Sequence, residues 1–175
     1  MKNKVIIYTD GACSVTSRIG GWAAILMYKR NGRSHKKEIS GGVQDTTNNR
    51  MEIQAFIESI KILKRPCNVT VYTDSKYVQE GIGSWKNNEP IGKKGWIVGW
   101  KNRGWRRKEG PLINEDLWME IDVLIKKHDS ITMKYVRGHD GDELNERCDE
   151  LAVRAKNEII TDIDIEIENR FTDKD

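Results

Sequence analysis

Ile7-Tyr8-Thr9-Asp10-Gly11 and Val71-Tyr72-Thr73-Asp74-Ser75 are the same phrase written twice. Each is a short apolar, β-rich run whose last side chain is an acid, followed at once by a turn-forming Gly or Ser. If two such strands lie parallel and adjacent, both carboxylates emerge at the carboxyl end of the sheet, where α/β proteins place their ligands. Two acids crowded into one spot repel, so the arrangement needs either a raised pKa or a cation between them. Taken singly, each Asp also reads as an ordinary turn residue.

Outward from these strands the pattern is that of an α/β chain. Trp22–Tyr28 and the segment around Lys37–Ile39 read as strands separated by Asn31-Gly32, which with Val5–Tyr8 makes an antiparallel three-strand opening. From Asn48 to Lys64 the period changes: Ile53, Phe56, Ile57, Ile60 and Leu63 keep to one helical face, Thr47 can cap the start and Pro66 lies beyond the end. Leu117, Ile121, Leu124 and Ile125 mark a helix starting near Asn114, and Ile131–Val136 reads as another strand. After the Gly138-His139-Asp140-Gly141 loop, Leu144, Cys148, Leu151, Ala152 and Ala155 form a last amphipathic helix. This order predicts a mixed sheet flanked by helices. Residues 158–175 differ, with seven acids against Arg170 and Lys174, a net −5. Ile163, Ile165 and Ile167 alternate with acids there, so an edge strand is one expectation and disorder or loose docking the other.

The bulk numbers narrow the class. A length of 175 residues with 37% hydrophobic content suits one domain with a real core. The lysine-bearing start runs directly into Val5, and no stretch approaches the roughly 20 apolar residues that span a bilayer, so a soluble, unexported protein without membrane contact is expected. Three cysteines without C-x-x-C spacing support neither a disulfide framework nor a zinc site, which fits a reducing cytoplasm. The net charge of +3 hides an asymmetry: residues 84–108 carry eight basic side chains against Glu89 alone, a segment of +7. Trp85, Trp96, Trp100 and Trp105 lie in the same segment, and cations interleaved with flat rings suit a surface that neutralises phosphates. The same rings would also serve as the small core of a helical hairpin.

Two more acids sit beside apolar stripes. Glu52 lies one turn before Phe56, and Asp149 follows Cys148 and precedes Leu151-Ala152, so both border buried faces where an unpaired charge is costly. A helix-dipole contribution for Glu52 and a surface ion pair for Asp149 are the ordinary alternatives. Four oxygen donors without a His/Cys cluster specify a hard cation such as Mg²⁺ or Mn²⁺.

These residues resemble type 1 ribonuclease H. The resemblance runs from about Lys4 to Lys156, through Tyr8-Thr9-Asp10-Gly11, Thr47-Asn48-Asn49-Arg50-Met51-Glu52, Tyr72-Thr73-Asp74-Ser75, the Gly-Trp-Lys at 99–101, Gly138-His139 and Asn145-Glu146-Arg147-Cys148-Asp149-Glu150-Leu151-Ala152. It implies the RNase H fold: a five-stranded mixed sheet, three antiparallel strands then parallel ones, flanked by helices. The catalytic domain would span 1–157, with a basic handle at about 81–113 and the acidic tail at 158–175. The implied activity is endonucleolytic, sequence-nonspecific hydrolysis of the RNA strand of RNA/DNA hybrids with two Mg²⁺ ions (Mn²⁺ as the substitute), giving 5′-phosphate and 3′-hydroxyl ends. Asp10, Glu52, Asp74 and Asp149 would hold the metal, and His139 would assist proton transfer and product departure from a mobile loop. Thr47 and Asn114 match positions that grip a phosphate of the DNA strand, and both are also good helix caps. The resemblance further implies nucleic-acid contacts at Gly11, Cys13, Asn48, Asn49 and Lys76, and from the handle at Trp85, Trp100, Lys101, Arg103, Trp105, Arg106 and Arg107. A monomer acting on a hybrid duplex is implied.

The chain departs from the family pattern in three places. Ser14–Ile19 replaces a Gly/Asn/Pro-rich turn, Asp45 stands where an Arg is common in the phosphate pocket, and the handle carries roughly ten extra residues near Lys86–Gly95. Two other functions fit part of the pattern: a catalytically inactive hybrid-binding module, and another nuclease or DNA-strand transferase of the same superfold. Four intact acids argue against the first, and the handle and the Asn145–Ala152 match against the second.

Overall fold

The structure, a computed structural model, describes residues 3–172. Strands β1 (Lys4–Cys13), β2 (Gly20–Arg30) and β3 (Arg33–Val43) form an antiparallel meander, turned between β2 and β3 by Asn31 and Gly32, both at positive φ. Helix α1 (Asn48–Lys61) follows, then β4 (Asn68–Thr73), which pairs with β1 in parallel. Short helix α2 (Lys76–Ile82) leads to a hairpin of β5 (Gly83–Lys86) and β6 (Glu89–Lys94). Helix α3 (Trp96–Asn102), the two-residue strands β7 (Arg106–Arg107) and β8 (Gly110–Pro111), helix α4 (Glu115–Ile125), strand β9 (Ser130–Tyr135) and helix α5 (Glu143–Thr172) complete the chain.

The main sheet has the order β3-β2-β1-β4-β9-β5-β6. Strand β1 is therefore central and is covered on both faces: Ile7 packs with Ile53, Phe56 and Ile57 of α1, while Tyr8 packs with Cys148, Leu151 and Ala152 of α5. The two apolar stripes read from the sequence are the surfaces that close these layers, and Trp118 of α4 is the largest fully buried side chain. The three cysteines are unpaired. No described helix is long and apolar enough to cross a membrane.

Two expectations are corrected. The sheet has seven strands rather than five, because the extra residues near Lys86–Gly95 fold into a hairpin that joins it through β9. Asn87 and Asn88 hold φ of 50° and 66°, the two positive values that a tight hairpin turn requires and that Asn tolerates. The handle region, expected as a basic insertion, is accordingly a β-hairpin followed by a short helix. Residues 158–172 continue α5 and form neither a disordered tail nor an edge strand, while Asp173, Lys174 and Asp175 lie outside the described residues. The alternation of Ile163, Ile165 and Ile167 fits a strand, but Ala155, Ile159, Ile163 and Ile167 also recur every four residues. A helix already nucleated gains one hydrogen bond per added residue, and the i,i+4 pair Glu166–Arg170 at 2.6 Å supports the extension.

Candidate active site

Strands β1 and β4 run in parallel with Tyr8 opposite Tyr72 and Thr9 opposite Thr73. That register sets Asp10 and Asp74 side by side one step beyond the last paired residues. Helix α1 brings the third acid. Thr47 caps it by accepting from the Arg50 N–H at 3.2 Å, and the helix then crosses β1 at Gly11. A Cβ at Gly11 would lie 2.5 Å from the Glu52 backbone nitrogen, so only glycine lets helix and strand approach this closely. The result is a trio: carboxylate oxygens of Asp10, Glu52 and Asp74 lie within 4.8 Å of one another.

Asp10 and Glu52 are 3% and 5% exposed. Burial, then the neighbouring Asp74, pushes the Asp10 carboxyl up to about 8, against the downward pull of a hydrogen bond with Glu52 and of the Gly11 N–H, which donates to Oδ1 at 2.9 Å. Glu52 is raised well above the usual carboxylate range by burial and then by Asp10 and Asp74. Asp74 is raised by burial, partly offset by its contact with Asp10. Glu52 Oε2 is buried with no hydrogen-bond partner. An orphaned buried oxygen and three acids that each resist ionisation form a donor set for a hard divalent cation, which would relieve both costs at once.

The other predicted residues fall around this trio. Asp149 is half-buried near the start of α5, outside the tight cluster, yet near enough for its charge to push both Asp10 and Asp74 upward. His139 is exposed in the loop between β9 and α5 at φ 57°. Its neighbour Gly138 passes over Asp74, where a Cβ would lie 2.9 Å from Oδ2. Thr47, Asn48 and Asn49 are exposed at the amino end of α1. Asn114 is left-handed and makes no side-chain cap; its amide instead accepts from Arg50 (3.3 Å) and donates to the Tyr77 hydroxyl (3.3 Å). The Cys13 thiol lies 3.6 Å from the Ser14 and Thr46 carbonyls, and the Lys76 ammonium sits 5.3 Å over the Tyr135 ring.

The handle tryptophans divide. Trp85 lies in β5, half-buried, its indole donating to the Ile82 carbonyl at 2.8 Å, which is a packing role. Trp100 sits edge-on to Trp118 at 5.0 Å, and the Trp105 N–H closes onto the Trp100 carbonyl at 2.7 Å. Trp96, 40% exposed, is the ring most open to solvent, and its place at the first turn of α3 is not legible without the hairpin before it. Arg103 and Arg107 each donate to a nearby carbonyl, and Lys101 is paired with Asp122 at 3.0 Å.

Two of the departures meet. Arg18, from the altered Ser14–Ile19 loop, pairs with Asp45 at 3.0 Å, and the Arg18 carbonyl accepts from the Thr46 N–H at 2.9 Å. The acid at 45 is thus counterbalanced by a cation from the other changed segment, and the loop is tied to the entry of α1.

Comparison with known proteins converges on one family. The RNase H family profile matches residues 2–157. Over 157 residues the chain is 49% identical to a ribonuclease H of Francisella philomiragia subsp. philomiragia, covering 88% of this chain and 91% of the relative. It is likewise 49% identical over 162 residues to the ribonuclease H of Francisella tularensis subsp. novicida, covering 91% and 95%. Among solved structures, it superposes on LC9-RNase H1, a type 1 RNase H with the type 2 active-site motif, with TM-score 0.75 and 28% identity over 90% of this chain and 74% of that one. The foamy viral protease-reverse transcriptase in complex with RNA/DNA hybrid shares the fold alone, with TM-score 0.69 and 18% identity over 87% of this chain and 20% of that one.

Proposed function

This chain belongs to the RNase H family, and on that premise we propose that it cleaves the RNA strand of RNA/DNA hybrids endonucleolytically, leaving 5′-phosphate and 3′-hydroxyl ends. The observation that carries the reading is the trio of Asp10, Glu52 and Asp74, whose oxygens converge within 4.8 Å at the end of the two central strands. Asp10, Glu52 and Asp74 would hold two Mg²⁺ ions, with Asp149 completing the set from α5. Such ions, when bound, supply a nucleophile at neutral pH and neutralise charge on the scissile phosphate and the departing 3′-oxygen. Mn²⁺, which also takes oxygen donors, would substitute.

The chain's own residues do the rest. Burial and mutual repulsion disfavour ionisation of Asp10 and Glu52 when no cation is present, so metal binding would release protons from the site. His139, on the loop whose Gly138 passes over Asp74, would carry a proton to the leaving oxygen and move away with product. Thr47, Asn48 and Asn49 at the head of α1, with Gly11, Cys13, Lys76 and Asn114, would face the duplex, and contacts to 2′-hydroxyls in a wide minor groove would select RNA without reading sequence. Trp100, Trp105, Arg103, Arg106, Arg107 and Lys101 of the handle dock the phosphates, with Trp96 as the exposed ring; Trp85 belongs to the packing of the hairpin. One copy carries every group in this scheme, so the catalytic unit is a monomer, and we place it in the cytoplasm on the unpaired cysteines.

The test is a hybrid with either strand labelled, incubated with the wild type or Asp10→Asn in Mg²⁺ or EDTA. Cleavage of the RNA strand alone, by wild type with metal only, is expected. Equal activity of Asp10→Asn refutes the site, and preferential cutting of DNA duplexes or junctions refutes the substrate.

A further inference from the structure

The end of the sheet farthest from the carboxylates carries a groove of about 390 Å³. Its floor is apolar, with Val5, Leu26, Tyr28 and Leu63, and its rim holds Lys4, Lys29, Arg30, Lys37, Lys64 and Arg65. No acid lines it, and none of these six cations forms an ion pair among the described residues. By contrast Lys101 of the handle is paired at 3.0 Å. Six like charges around one hollow repel one another until an anion is seated there. The apolar floor asks in addition for aliphatic side chains, which a sugar-phosphate backbone does not offer.

The chain itself contains a segment of that chemistry. Residues 158–172 form the last turns of α5, with Glu158, Asp162, Asp164, Glu166 and Glu168 against Arg170, a net −4. Ile165 and Ile167 are 50% and 48% exposed and belong to neither core cluster. This helix cannot reach its own groove. Ile159 lies against Gly42, whose strand partner is Gly21, whereas the groove adjoins Tyr28, seven residues further along β2 and about 24 Å away. From Ile159 the helix leads away from the groove for another 20 Å or so.

We propose that the groove receives the acidic, isoleucine-bearing end of α5 from a second copy of this chain. Reciprocal exchange, each tail seated in the other copy's groove, would make a closed two-fold dimer. Because it joins net charges of opposite sign at an exposed rim, the association is weak at physiological salt and strengthens as salt falls.

Sedimentation velocity of the full chain at 50 mM and 500 mM NaCl tests this. A concentration-dependent dimer is expected at 50 mM and a monomer at 500 mM. Neutralising the groove (Lys29→Gln, Arg30→Gln, Lys64→Gln, Arg65→Gln) or the tail (Asp162→Asn, Asp164→Asn, Glu166→Gln, Glu168→Gln) should raise the dimer dissociation constant at least tenfold. Exchanging the charges of both sets in one protein should restore it, which separates a lost contact from a lost fold. A wild type that stays monomeric at 50 mM overturns the proposal, and so does a groove variant that dimerises like the wild type. If the groove variant instead loses only affinity for a single-stranded thymidine oligomer, the groove is a nucleic-acid surface and the proposal fails. Cleavage of a short hybrid is unchanged by the groove variant in every case, so these outcomes are independent of the assigned activity.

Discussion

Asp10 is held where ionisation is unfavourable, by burial first and by Asp74 second, and its carboxyl is pushed up to about 8. A group whose folded pKa exceeds its unfolded value contributes stability that is present in acid and lost as pH rises through the folded value. Between the unfolded and folded values the unfolded chain has released a proton that the folded chain keeps, so the metal-free protein should weaken as pH rises from about 4 to about 8. Asp10→Asn, which cannot ionise, should be more stable than the wild type at pH 9 in EDTA by about 2–4 kcal/mol, the difference vanishing near pH 4. The same substitution should lower cleavage by about 10³-fold or more, roughly 4 kcal/mol in the barrier. Thermal melts across pH and a cleavage assay check both halves; a variant no more stable at pH 9 contradicts the electrostatic picture. His128 has the opposite sign. It is buried, its Nδ1 accepts from the Cys67 N–H at 3.2 Å, and burial holds its pKa below 6.5. Its contribution is present above pH 6.5 and lost as pH falls from there through the lowered folded pKa. His128→Asn, which can still accept the bond, should remove about 1 kcal/mol of the stability change between pH 7 and 5.

At the scale of elements, α1 and the handle divide the labour. The cap at Thr47 and the close approach at Gly11 decide where Glu52 arrives, while the segment from α3 to β8 carries cations outward. Replacing Lys101, Arg103, Arg106 and Arg107 with Gln should flatten the salt dependence of hybrid binding by up to about three in log–log slope, with kcat at saturation changed less than about twofold. Lys101→Gln alone should change the slope less than Arg106→Gln, because Asp122 already holds that ammonium. The β5–β6 hairpin rests on its turn: Asn88→Val, a β-branched residue forced to φ 66°, should cost about 1–2 kcal/mol and lower Tm by a few degrees, whereas Asn88→Gly should not.

For the molecule as a whole, metal binding and folding are linked. Mg²⁺ at 100 times its dissociation constant should add about 2.7 kcal/mol and raise Tm by roughly 5–10 °C; EDTA should reverse the shift, and Asp10→Asn should show little of it. What was readable in the chain was whatever repeats locally: the doubled strand-acid phrase, the helical stripe ending at Leu63, the Asn31-Gly32 turn and the +7 segment all follow from periods and compositions a few residues long. Those features were enough to give a mixed sheet with Asp10 and Asp74 at one edge and Glu52 beside a buried helical face; that Glu52 joins the two strand-end acids was implied by the family resemblance. Local periods left the hairpin strands unseen because Gly83–Lys94 is polar, and they left the tail ambiguous because Ile163, Ile165 and Ile167 satisfy two periods at once. Only the folded chain decided the rest: that Glu52 Oε2 is buried without a partner, that Asp149 stands just outside the trio, that Arg18 answers Asp45, and that six cations ring an apolar hollow. Each of these is a distance between segments remote in sequence. Such distances are set by how strands register and how closely a helix can approach a glycine, which no stretch of sequence encodes alone.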